Sequence, residues 1–322
     1  DYADLSGSGP INGTLSVSGS MTDGARDLLV DAACQLGTWA TGGLDLRATT
    51  LGVVRARPED PLETTLRSTM NGGSASAVIQ IDMTREASTP WKLSDRAKQV
   101  DTARLLLDRG LGEYLTFVVP SVIPADSGVP VLSGLLDANA DLAARSFVEP
   151  QLSRSLVGRA TVAMREGTIK DSTLFGKGSG GLDDIVKTIA VAVPEVRDAV
   201  VRASKALVFS TIDSRLRVVG EVVHVEEASL VGRHMKIGMQ GTVTFEERVD
   251  LDTRIQPQGK NQKRLAKFLK DGVVPLRVKG TLEKPRVRAA FDAKAFAAGG
   301  LLDQLLGDDK KNPLKRLRDL IK

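Results

Sequence analysis

The stretch Met235-Lys-Ile237-Gly-Met239-Gln-Gly241-Thr-Val243-Thr-Phe245-Glu246 alternates apolar and polar residues. A strand turns successive side chains to opposite faces, so this period of two reads as a strand with one greasy and one wet side. Met235, Ile237, Met239, Gly241, Val243 and Phe245 share the first side, and Lys236, Gln240, Thr242, Thr244 and Glu246 the second. Three further segments repeat the rhythm. Val249, Leu251, Thr253 and Ile255 alternate with Arg248, Asp250, Asp252 and Arg254. Val274, Leu276, Val278, Gly280 and Leu282 alternate with Arg277, Lys279 and Thr281, and Val287, Ala289 and Phe291 with Arg286, Arg288 and Asp292. Short joints around Glu246 to Arg248 and at Glu283-Lys284-Pro285 suit hairpins, which makes the region an antiparallel meander.

The same pattern extends toward the N-terminus. Ala77, Ile79, Ile81 and Met83 form one such set, Leu136, Ala138, Ala140 and Leu142 another, and Leu156, Ala160, Val162 and Met164 a third. Leu15 with Val17, and Leu44 with Leu46, mark strands near the start. The phrase Gly-Thr followed by Leu or Val recurs at Gly13, Gly241 and Gly280, a weak repetition of a strand unit. Helices are expected where spacing changes. Ser94 is placed to cap a helix to about Arg109 carrying Ala97, Val100, Ala103 and Leu107. A helical span is read over 182–207, restarting at Pro194, and a short helix over 262–270 ended by Gly272. The expected organisation is a strand-rich part over 1–117, a proline-rich crossover over 118–130, a sheet region over 131–292, and a basic amphipathic tail over 293–322. The opening in mid-pattern suggests a continuation from an upstream segment.

Composition narrows the chemistry. The 322 residues are 42% hydrophobic and 26% charged, enough to bury a core, while aromatics are only 4%. The single cysteine, Cys34, excludes an intramolecular disulfide and reads as a small hydrophobe. His224 and His234 are the two histidines, and no HExxH, CxxC, EF-hand or G-x-S-x-G pattern accompanies them. Gly176-Lys-Gly178-Ser-Gly-Gly181 spells G-x-G-x-x-G, yet the parallel βαβ context of a dinucleotide site is missing, so it reads as a loop. No catalytic residue, metal or cofactor is expected. The net charge of +4 conceals an uneven distribution: residues 254–322 hold 18 Lys and Arg against 7 Asp and Glu, and the rest 26 against 33. Few aromatics accompany the basic residues, which argues against nucleic acid. Lys310, Lys311, Lys315, Arg316 and Arg318 beside leucine stripes suit an anionic membrane surface, or a helix docked on the protein's own sheet.

Three phrases carry a family resemblance: Leu156-Val-Gly-Arg-Ala-Thr-Val-Ala-Met-Arg-Glu-Gly-Thr-Ile169, Phe209-Ser-Thr-Ile-Asp-Ser-Arg-Leu-Arg-Val-Val-Gly220, and Val274-Pro-Leu-Arg-Val-Lys-Gly-Thr-Leu-Glu-Lys-Pro-Arg-Val287. Together they resemble the C-terminal region of AsmA/TamB-type bacterial envelope proteins. The resemblance covers about 156–291 and loosens before that. It implies a mainly β fold, an elongated, curved antiparallel sheet with an apolar, groove-like concave face plus a few amphipathic helices. It also implies a place at the periplasmic face of the inner membrane of a diderm bacterium, and a non-enzymatic part in phospholipid transport and outer-membrane homeostasis. The expected groove lining is Ile79, Ile81, Val162, Met164, Leu216, Val218, Ile237, Met239, Val243, Phe245, Leu251, Ile255, Leu276, Val278, Val287 and Phe291, with phospholipid acyl chains as occupants. The alternatives are a sealed core built from the same side chains, and a structural or assembly factor that binds envelope proteins along sheet edges. Low aromatic content argues against an outer-membrane barrel, which needs aromatic girdles.

Overall fold

The computed structural model describes residues 6–8, 10–19, 27–41, 44–84, 90–102, 132–170, 206–233, 235–259, 262–263, 266, 269–281 and 285–290. Sixteen strands lie among them: β1 (Ser6–Ser8), β2 (Asn12–Ser18), β3 (Leu29–Leu36), β4 (Thr38–Thr41), β5 (Leu44–Arg55), β6 (Leu62–Met70), β7 (Gly73–Ile81), β8 (Trp91–Asp101), β9 (Leu132–Ala144), β10 (Val157–Lys170), β11 (Ala206–Val219), β12 (Val222–Gly232), β13 (Met235–Thr244), β14 (Arg248–Pro257), β15 (Val274–Thr281) and β16 (Pro285–Ala289). They make one antiparallel, curved and unclosed sheet. From β5 to β16 each strand pairs with the next in sequence. At the N-terminal side the long β5 serves two partners: Leu44–Leu46 pair with β4, and Thr49–Arg55 with β3, which in turn holds β2. One short helix, α1 (Gln151–Ser155), follows β9.

Register ties the strands into rows that share a face. One row reads Leu15, Ala32, Val53, Thr64, Ile79, Leu93, Leu142, Gly158, Val218, Val223, Val243 and Val249. A one-residue slip at any pairing would send a whole strand's apolar set to the wrong side, so the alternation in the sequence is what fixes this register. The β6–β7 hairpin turns through Asn71 and Gly72 at φ of 46° and 83°, the two-residue geometry that matches the twist of its strands.

Bulges bend the sheet. Pairing shifts by a residue near Ala48 in β5, Gln99 in β8 and Glu166 in β10, each with φ between 49° and 55°, and again between Val225 and Ala228 in β12. An extra residue bends the strand that carries it and increases its twist. It also resets spacing: across a bulge, inward-facing residues lie three apart instead of two.

That spacing accounts for the main correction to the secondary structure. The expected helix from Ser94 is strand β8 over its described part. Ala97 and Val100 share a face because the bulge at Gln99 inserts a residue, not because a helix turns between them. Leu207, expected at a helix end, lies in β11, paired with Ile169. The rest of the 182–207 span, the 118–130 crossover and the 293–322 tail lie outside the described residues. Among the described residues of 262–270, Ala266 N–H donates to the Gln262 carbonyl at 2.9 Å, a helical turn, and a 3₁₀ turn follows at Lys270–Gly272; residues 264–265 and 267–268 lie outside the described residues. The expected division near 118–130 leaves no break in the sheet, since β8 pairs directly with β9.

Candidate functional site

The two faces of the sheet differ in chemistry. On the outer face Arg215 pairs with Glu227, and Arg217 meets Glu226 at 3.1 Å. Arg277 sits between Asp250 and Asp252, at 2.5 and 2.6 Å, and Lys279 reaches Asp250 at 3.3 Å. The Asp252 hydrogen bond leads in holding the Arg277 guanidinium above its ordinary pKa. These pairs are open to water, so each adds little to stability. Their main effect is to keep this face solvated and leave the other for apolar contact.

The inner face divides into a sealed part and an open part. From β10 to β16 its side chains are closed off from water: Met164 and Val243 are 0% exposed, and Val162, Leu216, Val218, Ile237, Met239, Leu251, Leu276, Val278 and Val287 are all buried. They form one continuous apolar cluster from Val100 in β8 to Val287 in β16. Here the sealed-core alternative holds, and the expectation of an open lining is corrected. Burial of each large apolar side chain is worth roughly 1.5–3 kcal/mol. Ile255 is half-buried against the cluster.

Phe245 leaves the lining altogether. Strand β13 stops at Thr244, and Phe245 sits in the turn before β14 at 38% exposed, its N–H bonded to the Glu221 carbonyl. Phe291, Lys310, Lys311, Lys315, Arg316 and Arg318 lie outside the described residues.

Across β2 to β9 much of the same face stays partly open. Val30, Ala32, Cys34, Leu51, Leu66, Ala77, Leu93, Ala140 and Leu142 are half-buried, as are the expected lining residues Ile79 and Ile81. At the edge, Leu15 is 72% and Val17 53% exposed. Small side chains explain part of the opening. Ala75 and Ala77 of β7, Ala97 of β8, Ala138 and Ala140 of β9 and Ala160 of β10 lie in adjoining rows and make a shallow floor. The open rows therefore run over β2, β3, β5, β6, β7, β8 and β9. Seven strands at the usual spacing measure about 29 Å across.

Two charged residues stand on this inner face among the described residues. Arg55 is buried at the end of β5 and donates to the carbonyls of Leu28, Pro58 and Asp60 at 3.2, 2.5 and 3.1 Å, a structural use of its charge. Asp95 lies in β8 between Ala77 and Ala140. Burial pushes its carboxyl above the ordinary aspartate pKa, against a smaller lowering by the Arg96 backbone N–H. Near the end of the open part, Trp91 stacks on Phe147 at 5.3 Å and donates from Nε1 to the Ser146 carbonyl at 3.0 Å. A cleft of about 610 Å³ opens at this end of the sheet, walled by Gln80, Lys92, Ala143 and Val157 of an outward row together with Asp82, Trp91 and Arg145.

The open floor supplies residues that the sequence reading missed. Leu93, Asp95, Ala97 and Trp91 belong to an alternation, Trp91-Lys-Leu93-Ser-Asp95-Arg-Ala97-Lys98, that the charge at Asp95 interrupts. Cys34 faces the same rows and is half-buried, and His224 stands on the outer face opposite Arg217 and Thr242. Among the described residues no group of three His, Cys, Asp or Glu side chains is placed to hold a metal, and no helix is long and apolar enough to cross a membrane. Comparison with known proteins finds no matching family model, no matching curated protein and no matching solved structure.

Proposed function

We propose that this chain is a non-enzymatic envelope protein that carries phospholipid acyl chains along the inner face of its curved sheet. The observation that carries the reading is the half-open apolar floor of β2–β9, continuous in register with the sealed apolar interior of β10–β16. A face of this kind is normally covered by a second layer of structure or by a partner. The length of the floor suits a lipid tail. A bilayer's hydrocarbon core is about 30 Å thick, so one acyl chain occupies roughly half of the ~29 Å spanned by the open strands. Each methylene removed from water contributes roughly 0.8 kcal/mol. A tail with one side against the floor would gain on the order of 5 kcal/mol before ordering costs. Such contacts have no preferred direction along the rows, which suits movement across the sheet. Inter-membrane transport and the periplasmic face of the inner membrane are the setting that the AsmA/TamB-type resemblance offers for this chemistry.

The test is direct. The purified chain is expected to carry phospholipid that organic extraction and mass spectrometry detect, and to take up a fluorescent fatty acid after delipidation. A folded, lipid-free chain without uptake overturns the reading.

A contrast between the two edges favours a second reading, an assembly factor that binds envelope proteins through strand addition. Strand β16 has Pro285, Arg286 and Arg288, residues that discourage a further strand. Strand β2, Asn-Gly-Thr-Leu-Ser-Val-Ser, has no charge and no proline, and is exposed throughout. An unguarded edge is a template for main-chain pairing. This reading expects envelope proteins to co-purify with the chain through β2, and Ser16→Pro to release them. A chain that co-purifies with no protein partner argues against it.

A further inference from the structure

We infer that Asp95 is a specificity-determining residue of the open floor, and that the preferred occupant is an amphiphile whose polar end carries a positively charged amine. The inference rests on the acyl-chain reading and adds the charge of the ligand. Asp95 is the one carboxylate on the inner face among the described residues, and its half-buried side chain stands in the middle of β8 instead of at the sheet's rim. Its register neighbours are Ala77 and Ala140, and its neighbours along the strand on the same face are Leu93 and Ala97. Around these, the inward residues of β7 and β9 are Ala75, Ile79, Ala138 and Leu142. None of the eight carries a charge or titrates. The one cation of this face, Arg55, is at the end of β5 and already engaged with three carbonyls.

An anion set among methyl groups attracts a cation more strongly than one in bulk water, because less solvent screens the pair. The same setting repels a sulfate or phosphate oxygen that approaches without a counter-charge. The alanine, leucine and isoleucine rows beside the carboxylate give the attached chain an apolar bed. The raised pKa has the same physical origin, desolvation of the anion, and a bound ammonium would relieve it. The rival explanation is that an inward charge discourages the open face from stacking on another sheet.

The experiment uses the full chain and three probes with the same twelve-carbon tail: dodecylammonium, dodecanol and dodecyl sulfate, below their micelle concentrations, measured by calorimetry at neutral pH. The expected result is that dodecylammonium binds about tenfold tighter than dodecyl sulfate, equivalent to roughly 1.4 kcal/mol. Asp95→Asn is expected to bring that ratio close to one while dodecanol binding is kept. Equal affinity for both ions in the wild-type chain overturns the assignment and leaves the apolar floor standing. So does a ratio that Asp95→Asn does not change. Failure of dodecanol to bind the wild-type chain overturns the acyl-chain reading and this one with it. Lowering the pH supplies a second measure: the wild-type preference should fade as the carboxyl protonates, beginning at a higher pH than for an ordinary aspartate, and Asp95→Asn should show no such change.

Discussion

Leu251→Asp is expected to unfold the C-terminal half of the sheet, while Ile79→Asp is expected to leave the protein folded and deprive it of acyl-chain uptake. The two leucine-like positions read alike in the sequence, each on the apolar side of an alternating strand. They differ in what surrounds them. Leu251 is 2% exposed, in register with Gly241 on one side and Val278 on the other, inside the sealed cluster. A carboxylate there has no cation to pair with on the inner face, where Val249 and Thr253 flank it on β14, Met239 and Val243 stand on β13, and Leu276 and Val278 on β15. An uncompensated buried charge costs several kcal/mol, and substitutions above about 4 kcal/mol are exceptional in a protein whose whole stability is about 5–15 kcal/mol. Ile79 is half-buried between Thr64 and Leu93 on the open floor. Water reaches an aspartate at that position, so the loss is mainly the apolar contact of one side chain, about 1–2 kcal/mol. Circular dichroism should show a lost or strongly lowered melting transition for Leu251→Asp and a shift of only a few degrees for Ile79→Asp. Uptake of a fluorescent fatty acid should fall for Ile79→Asp despite its native spectrum. If Leu251→Asp folds normally and only uptake suffers, the interior of β10–β16 is accessible and the boundary between sealed and open parts is misplaced.

Much of the fold was legible in the sequence because strands with one wet face announce themselves residue by residue. The alternation through Ile237, Met239 and Val243, and through Val274, Leu276 and Val278, sets strand limits, register and the polarity of both faces at once. Legibility failed where geometry broke the period. In β8 the bulge at Gln99 and the inward charge at Asp95 disguised a strand as a helix. Phe245 continued the alternation by one step after the strand had turned away. The candidate site was less legible than the fold, because openness is a property of the neighbours. Met164 and Ile79 belong to similar patterns, but one is walled in and the other looks onto a floor of alanines contributed by its own strand, by β8 about 20 residues on and by β9 about 60 residues on in sequence. No window of sequence around either residue contains that difference. The phrase Gly-Thr-Leu/Val begins in strands β2, β13 and β15, and at Gly13 and Gly241 it marks a close approach of the neighbouring strand's backbone.

Gly241→Ala is expected to destabilise the protein by about 3 kcal/mol or more, whereas Gly238→Ala, three residues earlier in β13, is expected to be neutral or mildly stabilising. Both substitutions add one methyl to a glycine of the same strand, so propensity alone predicts the same small gain for each. Their surroundings separate them. Gly241 holds φ at +145°, a conformation that costs a residue with a Cβ on the order of 1–3 kcal/mol. An added Cβ would also lie 2.1 Å from the Asp250 carbonyl oxygen and 2.9 Å from the Leu251 Cα on β14. Those atoms are backbone and cannot rotate aside. Relief requires the two strands to separate at the point where Gly241 pairs with Leu251, in the middle of the sealed rows. Gly238 has no atom within 4 Å of the same added Cβ, and its φ is unexceptional. A methyl there restricts the unfolded chain without straining the folded one, which is worth about 0.4–1 kcal/mol. Chemical denaturation of the two variants checks the pair: the midpoint should drop sharply for Gly241→Ala and stay level or rise for Gly238→Ala. Equal midpoints would mean that β13 and β14 do not approach as closely at Gly241 as the register requires, and the packing that seals the inner face from β10 to β16 would have to be redrawn.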